Sequence, residues 1–317
     1  DGGGIRGLSS LIILKYLMKR VRPDNPPKPC EYFDLIGGTS TGGLIAIMLG
    51  RLRMDVDTCI EKYGELSSRV FQPKRAGVNF LDKLKDFAKA EESIALAGDA
   101  QSRLLQIGPD PECRVFVCAF TNDLNVPVRL RSYSTADSVD SLSGSRCAIW
   151  EAARATSAAA TFFDRIQVGR QYYVDGATGY NNPVEVVLEE ANSIWPDALA
   201  RIQCLVSIGT GVPDLRDFGD NLKGVFETVK EIATETEITQ KRFLKNHVHL
   251  GVKGRYFRLN VNEGRLTGVG LDEHKKQGRI EIASEDYLED PQTRTLVDEF
   301  LAVRAPLAHR TSETPGQ

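Results

Sequence analysis

The sequence predicts a layered α/β protein. Strand-like apolar runs alternate with runs at helical spacing, two Gly-rich segments each open a helix, and one of these directly follows a predicted strand. An α/β chain of 317 residues can form one domain, and at that size it buries roughly 75% of its unfolded surface without a metal or disulfide staple. Charge is near balance, 40 basic against 43 acidic for a net of −3, which argues against a nucleic-acid binder that works through global charge. With 41% hydrophobic and 26% charged residues, disorder is excluded as the main state.

Taken in order, Leu8, Leu11, Ile12, Leu14, Leu17, Met18 and Val21 recur at helical spacing and predict a helix over 6–21. It stops before 22–29, where four prolines forbid its continuation. A short buried strand is expected at 32–36, broken by Gly37-Gly38, with an apolar helix resuming at 44–49. Further strands are expected at 114–120, 128–133, 171–174, 204–208 and 255–261, interleaved with helices. The serine-rich stretch 132–145 reads as a surface loop and 311–317 as a fraying polar tail, which leaves 1–310 as one domain. No repeat of 20–50 residues is visible.

The longest uncharged apolar runs, 11–14 and 44–49, fall far short of the ~20 residues a membrane-spanning helix needs. Nor do the first residues form a signal peptide. Cys30, Cys59, Cys113, Cys118, Cys147 and Cys204 show no C-x-x-C spacing and read as reduced thiols of a cytoplasmic protein, although their even number leaves disulfides open. A Gly-rich loop that opens a helix normally follows a strand. None precedes Asp1, so the chain reads as a fragment cut at that loop.

Gly38-Thr39-Ser40-Thr41-Gly42 is a G-x-S-x-G between a predicted strand and a predicted helix. A serine on such a strained turn projects its hydroxyl, the two glycines let the backbone turn tightly, and the Thr41 amide can donate to an oxyanion. A helix-capping turn or a phosphate-binding loop is the competing reading. Asp1-Gly2-Gly3-Gly4-Ile5-Arg6-Gly7 is a second Gly-rich loop that bares backbone amides, as an oxyanion hole or a phosphate cradle requires. Neither loop carries the Gly-Lys-[Ser/Thr] ending of a P-loop, and no acidic residue stands at the spacing of a dinucleotide fingerprint.

The nucleophile needs a base. Four histidines exist, His247, His249, His274 and His309. His247 and His249 suggest a metal only weakly, since no third ligand has matching spacing, while a triad of Ser40, an acid and His249 fits the chain order of hydrolases. The competing base is Asp175, at the end of a predicted strand before Gly176-Ala177, though aspartate is also a common turn residue.

The segments 1–7, 38–42 and 175–177, in that order, resemble the patatin-like phospholipase family, whose signature is D-G-G-G-x-R-G, then G-T-S-T-G-G, then D-G-A or D-G-G. Four further segments resemble the family too: 32–40, the alanine-rich 153–159, Tyr180-Asn-Asn-Pro183 and 206–211. Likeness is looser through 256–261 and 270–272. Departures are the strand missing before Asp1 and Ala160 where relatives often have proline. The resemblance implies a three-layer α/β/α sandwich around a mainly parallel sheet, and a Ser–Asp dyad without histidine, metal or cofactor. In that dyad Ser40 is the nucleophile and Asp175 the base. It further implies oxyanion donors at Gly2, Gly3 and Gly4 besides Thr41, with Asp1, Arg6, Gly7, Gly38, Gly42 and Gly176 in support.

The implied activity is hydrolysis of phospholipid or other acyl-ester lipids, with peripheral membrane contact, no nucleic acid, and flanking domains beyond this chain. The alternative of a different class is a catalytically weak lipid-binding or scaffold module. Because a free aspartate, with pKa about 3.9, is a weak base, a partly dry site that raises Asp175 is expected. Phe80, Leu81, Leu84, Phe87 and Ala88, with Lys83, Lys85 and Lys89 beside them and Phe71, Lys74 and Arg75 just before, fit either an interfacial lid or a core-facing helix. Phe226, Val229, Ile232 and Ala233 read as a second helix packed on the core.

Overall fold

The computed structural model describes residues 1–70, 105, 111–122, 126–135, 147–158, 165–212, 223–248, 254–261, 264–266, 269 and 274–303. The lysine-flanked segment 71–89, His249, His309, Ala160, 270–272 and the tail 311–317 lie outside them, as does part of the 132–145 loop.

A 3₁₀ turn, Gly4–Arg6, leads into α1, Gly7–Val21. The spacing of its apolar residues buries Leu8, Leu11, Leu14, Leu17, Met18 and Val21, and the helix ends at an extended Arg22 just before the proline run. Then come α2 (Pro29–Tyr32), β1 (Leu35–Thr39), α3 (Thr41–Ala46), which continues as a π-turn over Ile47–Arg51, and α4 (Val56–Val70). Next follow β2 (Arg114–Thr121), β3 (Pro127–Arg131), α5 (Ile149–Thr156), β4 (Ile166–Val168), β5 (Gln171–Asp175), α6 (Ala177–Tyr180) and α7 (Val184–Ile194). The remainder holds α8 (Ala198–Arg201), β6 (Leu205–Ile208), α9 (Lys223–His247), β7 (Tyr256–Leu259), α10 (Gln277–Glu289) and α11 (Pro291–Val303).

The first strand differs from the expectation. Tyr32 closes α2, and β1 starts three residues later and runs through both glycines. The reason is close packing. A Cβ on Gly37 would lie 2.3 Å from the Phe116 ring, so glycine lets the strand pass under an aromatic side chain instead of breaking it.

β2 is the hub of the main sheet. Its side chains alternate between two buried faces: Val117 and Ala119 pack with Ile47, Ala152 and Ala155, while Phe116 and Cys118 pack with Val186 and Tyr133. Helices thus cover both faces, which is why the strand is apolar throughout and the architecture has the α/β/α layers expected. The sheet itself is mixed, not mainly parallel. β1 runs parallel to β2, but β3 and β5 pair with β2 antiparallel and β4 pairs with β5 antiparallel. Short connections force this: β4 and β5 are joined by Gly169-Arg170, with Gly169 at φ 61°, and a two-residue turn can only join antiparallel strands. β6 and β7 form a separate parallel pair.

The register fixes where chemistry can happen. Phe116, Val117 and Cys118 pair with both β1 and β3, so those two strands lie on opposite edges of β2. β5 overlaps β3 at Ala119 and Phe120 and must therefore share the edge that carries β1. β1 runs with β2 and β5 against it, so they approach each other along one edge. Their last residues, Thr39 and Asp175, pair with the neighbours Cys118 and Ala119.

Candidate active site

Ser40 stands in that junction, one residue past β1. Its backbone sits at φ 54°, ψ −124°, a strained conformation for a residue with a side chain. Both glycines of the motif are there for want of space. A Cβ on Gly38 would lie 2.1 Å from the Gly42 carbonyl oxygen, and one on Gly42 would lie 2.6 Å from that of Asp1. Thr156, at the end of α5, pins the turn: its hydroxyl accepts from the Ser40 N–H (2.9 Å) and donates to the Cys118 carbonyl (2.8 Å).

Asp175 closes β5 and is 6% exposed. Its own N–H donates to the Ala158 carbonyl (3.1 Å), and its Oδ1 accepts from the Ala177 N–H (2.8 Å). Gly176 passes the Cys118 backbone so closely that a Cβ there would lie 2.8 Å from it. Burial pushes the Asp175 carboxyl up from 3.8 to about 7, against the opposing pull of the Ser40 hydroxyl, the Ala177 N–H and the Arg154 charge. That is the direction expected of a dry site. The Ser40 hydroxyl is near enough to favour the carboxylate, yet Oδ2 has no hydrogen-bond partner of full geometry among the described residues.

The glycine loop lies against the same serine, since a Cβ on Gly2 would approach Ser40 Cβ to 3.1 Å. Its carbonyls are tied down by side chains from elsewhere. The Gly2 carbonyl accepts from Thr210 Oγ1 (2.8 Å) and Asn181 Nδ2 (3.5 Å), and the Gly4 carbonyl accepts from the Tyr63 hydroxyl and from Thr41 Oγ1 (3.2 Å). Gly4 itself has φ 55°. Gly2 departs from its expected role as a donor, because its N–H is already given to the Asn181 carbonyl (3.1 Å). The amides of Gly3, Gly4 and Thr41 donate to no backbone acceptor among the described residues, the arrangement an oxyanion hole would need. Gly7 must be glycine because Thr41 and Tyr63 crowd it, with the Thr41 methyl 2.2 Å from where a Cβ would stand.

Two charged residues hold the loop ends. Asp1 Oδ2 accepts from Arg258 Nη2 at 2.7 Å, with side chains 3% and 5% exposed. Arg258 also donates to Ser207 Oγ (2.9 Å) and to Glu237 Oε1 (3.2 Å), which in turn accepts from Asn260 Nδ2 (2.9 Å). Arg6 is buried and reaches the Gly211 carbonyl at 3.5 Å, and burial lowers its pKa to about 10.

The structure thus gathers Ser40, Asp175, both glycine loops, Arg6 and Asp1. It holds His247 elsewhere, between α7 and α9, with Nε2 2.8 Å from Glu185 Oε2 and the ring against Phe243. No group of three or more His, Cys, Asp or Glu that could hold a metal occurs among the described residues. Sequence reasoning missed Thr156, Asn181, Thr210, Tyr63 and Arg258. Four of them lie in segments whose likeness to the family it had noticed without assigning a role, and Tyr63 gave no signal beyond a helical apolar position.

A model of the family described as patatin-like phospholipase matches residues 1–188. Calcium-independent phospholipase A2-gamma of Rattus norvegicus is 31% identical over 310 residues, covering 91% of this chain and 38% of that protein. Phospholipase A I of Arabidopsis thaliana is 28% identical over 367 residues, covering 96% of this chain and 27% of that protein. The chain therefore spans well under half the length of these relatives. The crystal structure of VipD from Legionella pneumophila superposes with a TM-score of 0.42 at 12% identity over 94% of this chain and 66% of that one, a likeness too distant to argue from. With the family match covering 188 of 317 residues, among them both glycine loops and Asp175, the chain belongs to the patatin-like phospholipase family.

Proposed function

We propose that the chain is a serine acyl hydrolase of the phospholipase A or lysophospholipase type, acting on fatty-acyl esters through Ser40 and Asp175. One observation carries this. Two strands that end head to head on β2 bring a strained serine to a buried carboxylate whose pKa, about 7, suits a base at neutral pH. Asp175 takes the Ser40 proton as the oxygen attacks the ester carbonyl, and the oxyanion is met by the Gly3, Gly4 and Thr41 amides. The proton passes to the departing alcohol, leaving an acyl-serine. Water, deprotonated by the same carboxylate, then releases the fatty acid and restores Ser40.

The relatives named as phospholipases support a lipid substrate. Six free cysteines support a reducing, cytoplasmic setting. No helix among the described residues is long and apolar enough to cross a membrane, and in this reading contact with lipid is peripheral.

The test is labelling by a fluorophosphonate probe together with hydrolysis of a soluble short-chain ester. Ser40→Ala abolishes both, and Asp175→Asn lowers hydrolysis by about 10²–10⁴-fold. A folded wild-type chain that neither labels nor hydrolyses rules the reading out and leaves a lipid-binding scaffold.

A further inference from the structure

The C-terminal half of α9 presents an unusual face. Thr236, Thr239 and Phe243 are buried, while Ile238 is 55% exposed, Leu244 39% and Val248, the residue after the helix, 49%. At 100° per residue, Ile238, Lys241, Leu244, Lys245 and Val248 fall on one side of the helix, with Arg242 at its margin. No Asp or Glu occurs from 238 to 248. Among the described residues the ion pairs of α9 fall on Glu237 and His247; the Arg242 charge bears on Glu235 one turn before it, while Lys241 and Lys245 take part in no ion pair.

Another exposed apolar residue sets the contrast. Ile282 on α10 is 62% exposed, but its exposed neighbours on the same side are three carboxylates, Glu285, Asp286 and Glu289, against one cation, Arg279. Carboxylates around an exposed apolar residue are repelled by an anionic surface, whereas cations around one match it.

The turn just before this face is fixed to the catalytic segments. The Glu235 carboxylate lies near enough to the Gly179 N–H, in α6 after Asp175, for that amide to favour its charged form. The Thr236 carbonyl accepts from Asn182 Nδ2 (3.4 Å), and Glu237 accepts from the arginine that holds Asp1. From Glu237 to Val248 is about 16 Å along the axis, so the face begins beside the segments that carry Asp175 and the glycine loop.

We infer that this face of α9 docks the protein on an anionic lipid–water interface, with Ile238, Leu244 and Val248 entering the acyl boundary and Lys241, Lys245 and Arg242 meeting the headgroups. The inference draws its purpose from the lipid hydrolase reading and its physical basis from α9 alone.

The test uses the full chain carrying Ser40→Ala, so that vesicles stay intact, sedimented with phosphatidylcholine vesicles with and without phosphatidylglycerol. Binding is expected to favour the anionic vesicles and to weaken as salt is raised. Leu244→Ser with Val248→Ser, and separately Lys241→Glu with Lys245→Glu, each reduce binding at least tenfold, while Ile282→Ser leaves it unchanged. With Ser40 restored, the same α9 variants hydrolyse a soluble short-chain ester at the wild-type rate. A wild-type chain that hydrolyses the soluble ester but ignores anionic vesicles overturns the docking face and spares the dyad. So does equal binding by all variants, or self-association without vesicles that these substitutions abolish. Failure on the soluble ester with vesicle binding intact sinks the dyad instead.

Discussion

The two loops that meet at Ser40 are held in different ways. The elbow is shaped by its own backbone: Gly38 touches Gly42, Ser40 is forced to φ 54°, and one outside hydroxyl, from Thr156, fixes its amide. The glycine loop closes only a short turn on itself, Arg6 N–H to the Gly3 carbonyl (3.2 Å), and is otherwise suspended by Tyr63, Asn181, Thr210 and Arg258, from four distant parts of the chain. A nucleophile can be set by local sterics because one atom must project. In the proposed mechanism the Gly3 and Gly4 amides are aimed largely from outside, because a glycine backbone restricts its own conformation least. Damage to the elbow should therefore be abrupt, and damage to the suspension graded.

Gly42 is where the two meet, since its missing side chain is filled by the Asp1 carbonyl. Gly42→Ala places a methyl 2.6 Å from backbone oxygen, which cannot swing aside. It is expected to displace serine and oxyanion donors together and to lower kcat/KM by about 10³-fold or more, on the scale of losing an oxyanion donor outright. Near-normal esterase activity in a folded Gly42→Ala protein would show that the loops are not in register as described.

Arg258 probes the suspension alone. Arg258→Met strands the buried Asp1 carboxylate and removes the link to Ser207 and Glu237. Breaking a buried pair costs about 3–5 kcal/mol of stability. Beyond that, the loosened loop should lower kcat on the soluble ester by about 10–100-fold with KM little changed, since the loop serves the transition state. Arg258→Lys keeps one charge-assisted bond and should recover part of kcat. An equal loss of kcat in both variants, tracking melting temperature, would reduce Arg258 to a fold-stabilising role.

The third way to sharpen the comparison is pH. As Asp175 protonates, kcat/KM should fall about tenfold per unit below an apparent pKa of about 7. Stability must run the other way. The folded pKa lies above the unfolded value of 3.8, so the native state holds the extra proton between about 4 and 7. Stability is thus greatest below that window, is lost as pH rises through it, and is level above. Asp175→Asn has no proton to lose, so its melting temperature should gain on wild type across that window and stay ahead above pH 7. A constant difference from pH 4 to 8 would mean that burial does not strain this carboxylate.

How far the sequence could be read follows the same division. The elbow, Asp175 and the spacing of α1 are legible because each is written in neighbouring residues: a pentapeptide between strand and helix, a carboxylate at a strand end, apolar positions on a 3.6 period. The suspension is not. Arg258 lies 257 positions from Asp1, and nothing local distinguishes an arginine that pairs with a carboxylate across the fold from one that points to solvent. Gly37 misled for a related reason. Two glycines in a row read as a strand break, and only the Phe116 ring over Gly37 and the Gly42 backbone against Gly38 show why the strand needs them. The mixed sheet was hidden too, because strand direction is decided by connections and pairing partners that alternation alone does not name.

Thr156 is the smallest and most discriminating test, because its hydroxyl is the outside contact on the Ser40 amide itself. Its methyl lies against Gly43, where a Cβ would approach to 2.7 Å, and its hydroxyl joins the Ser40 amide to the Cys118 carbonyl. Thr156→Val keeps the shape and leaves both backbone groups without that partner, a loss of about 1–3 kcal/mol. Thr156→Ser keeps the hydroxyl and opens a small gap. If the elbow is set by its own sterics, Thr156→Val should lower stability while kcat on the soluble ester falls less than about tenfold, and Thr156→Ser should remain near wild type in kcat. A fall in kcat as large as that of Gly42→Ala would mean that the elbow, like the glycine loop, is aimed from outside, and the distinction between the two loops would collapse.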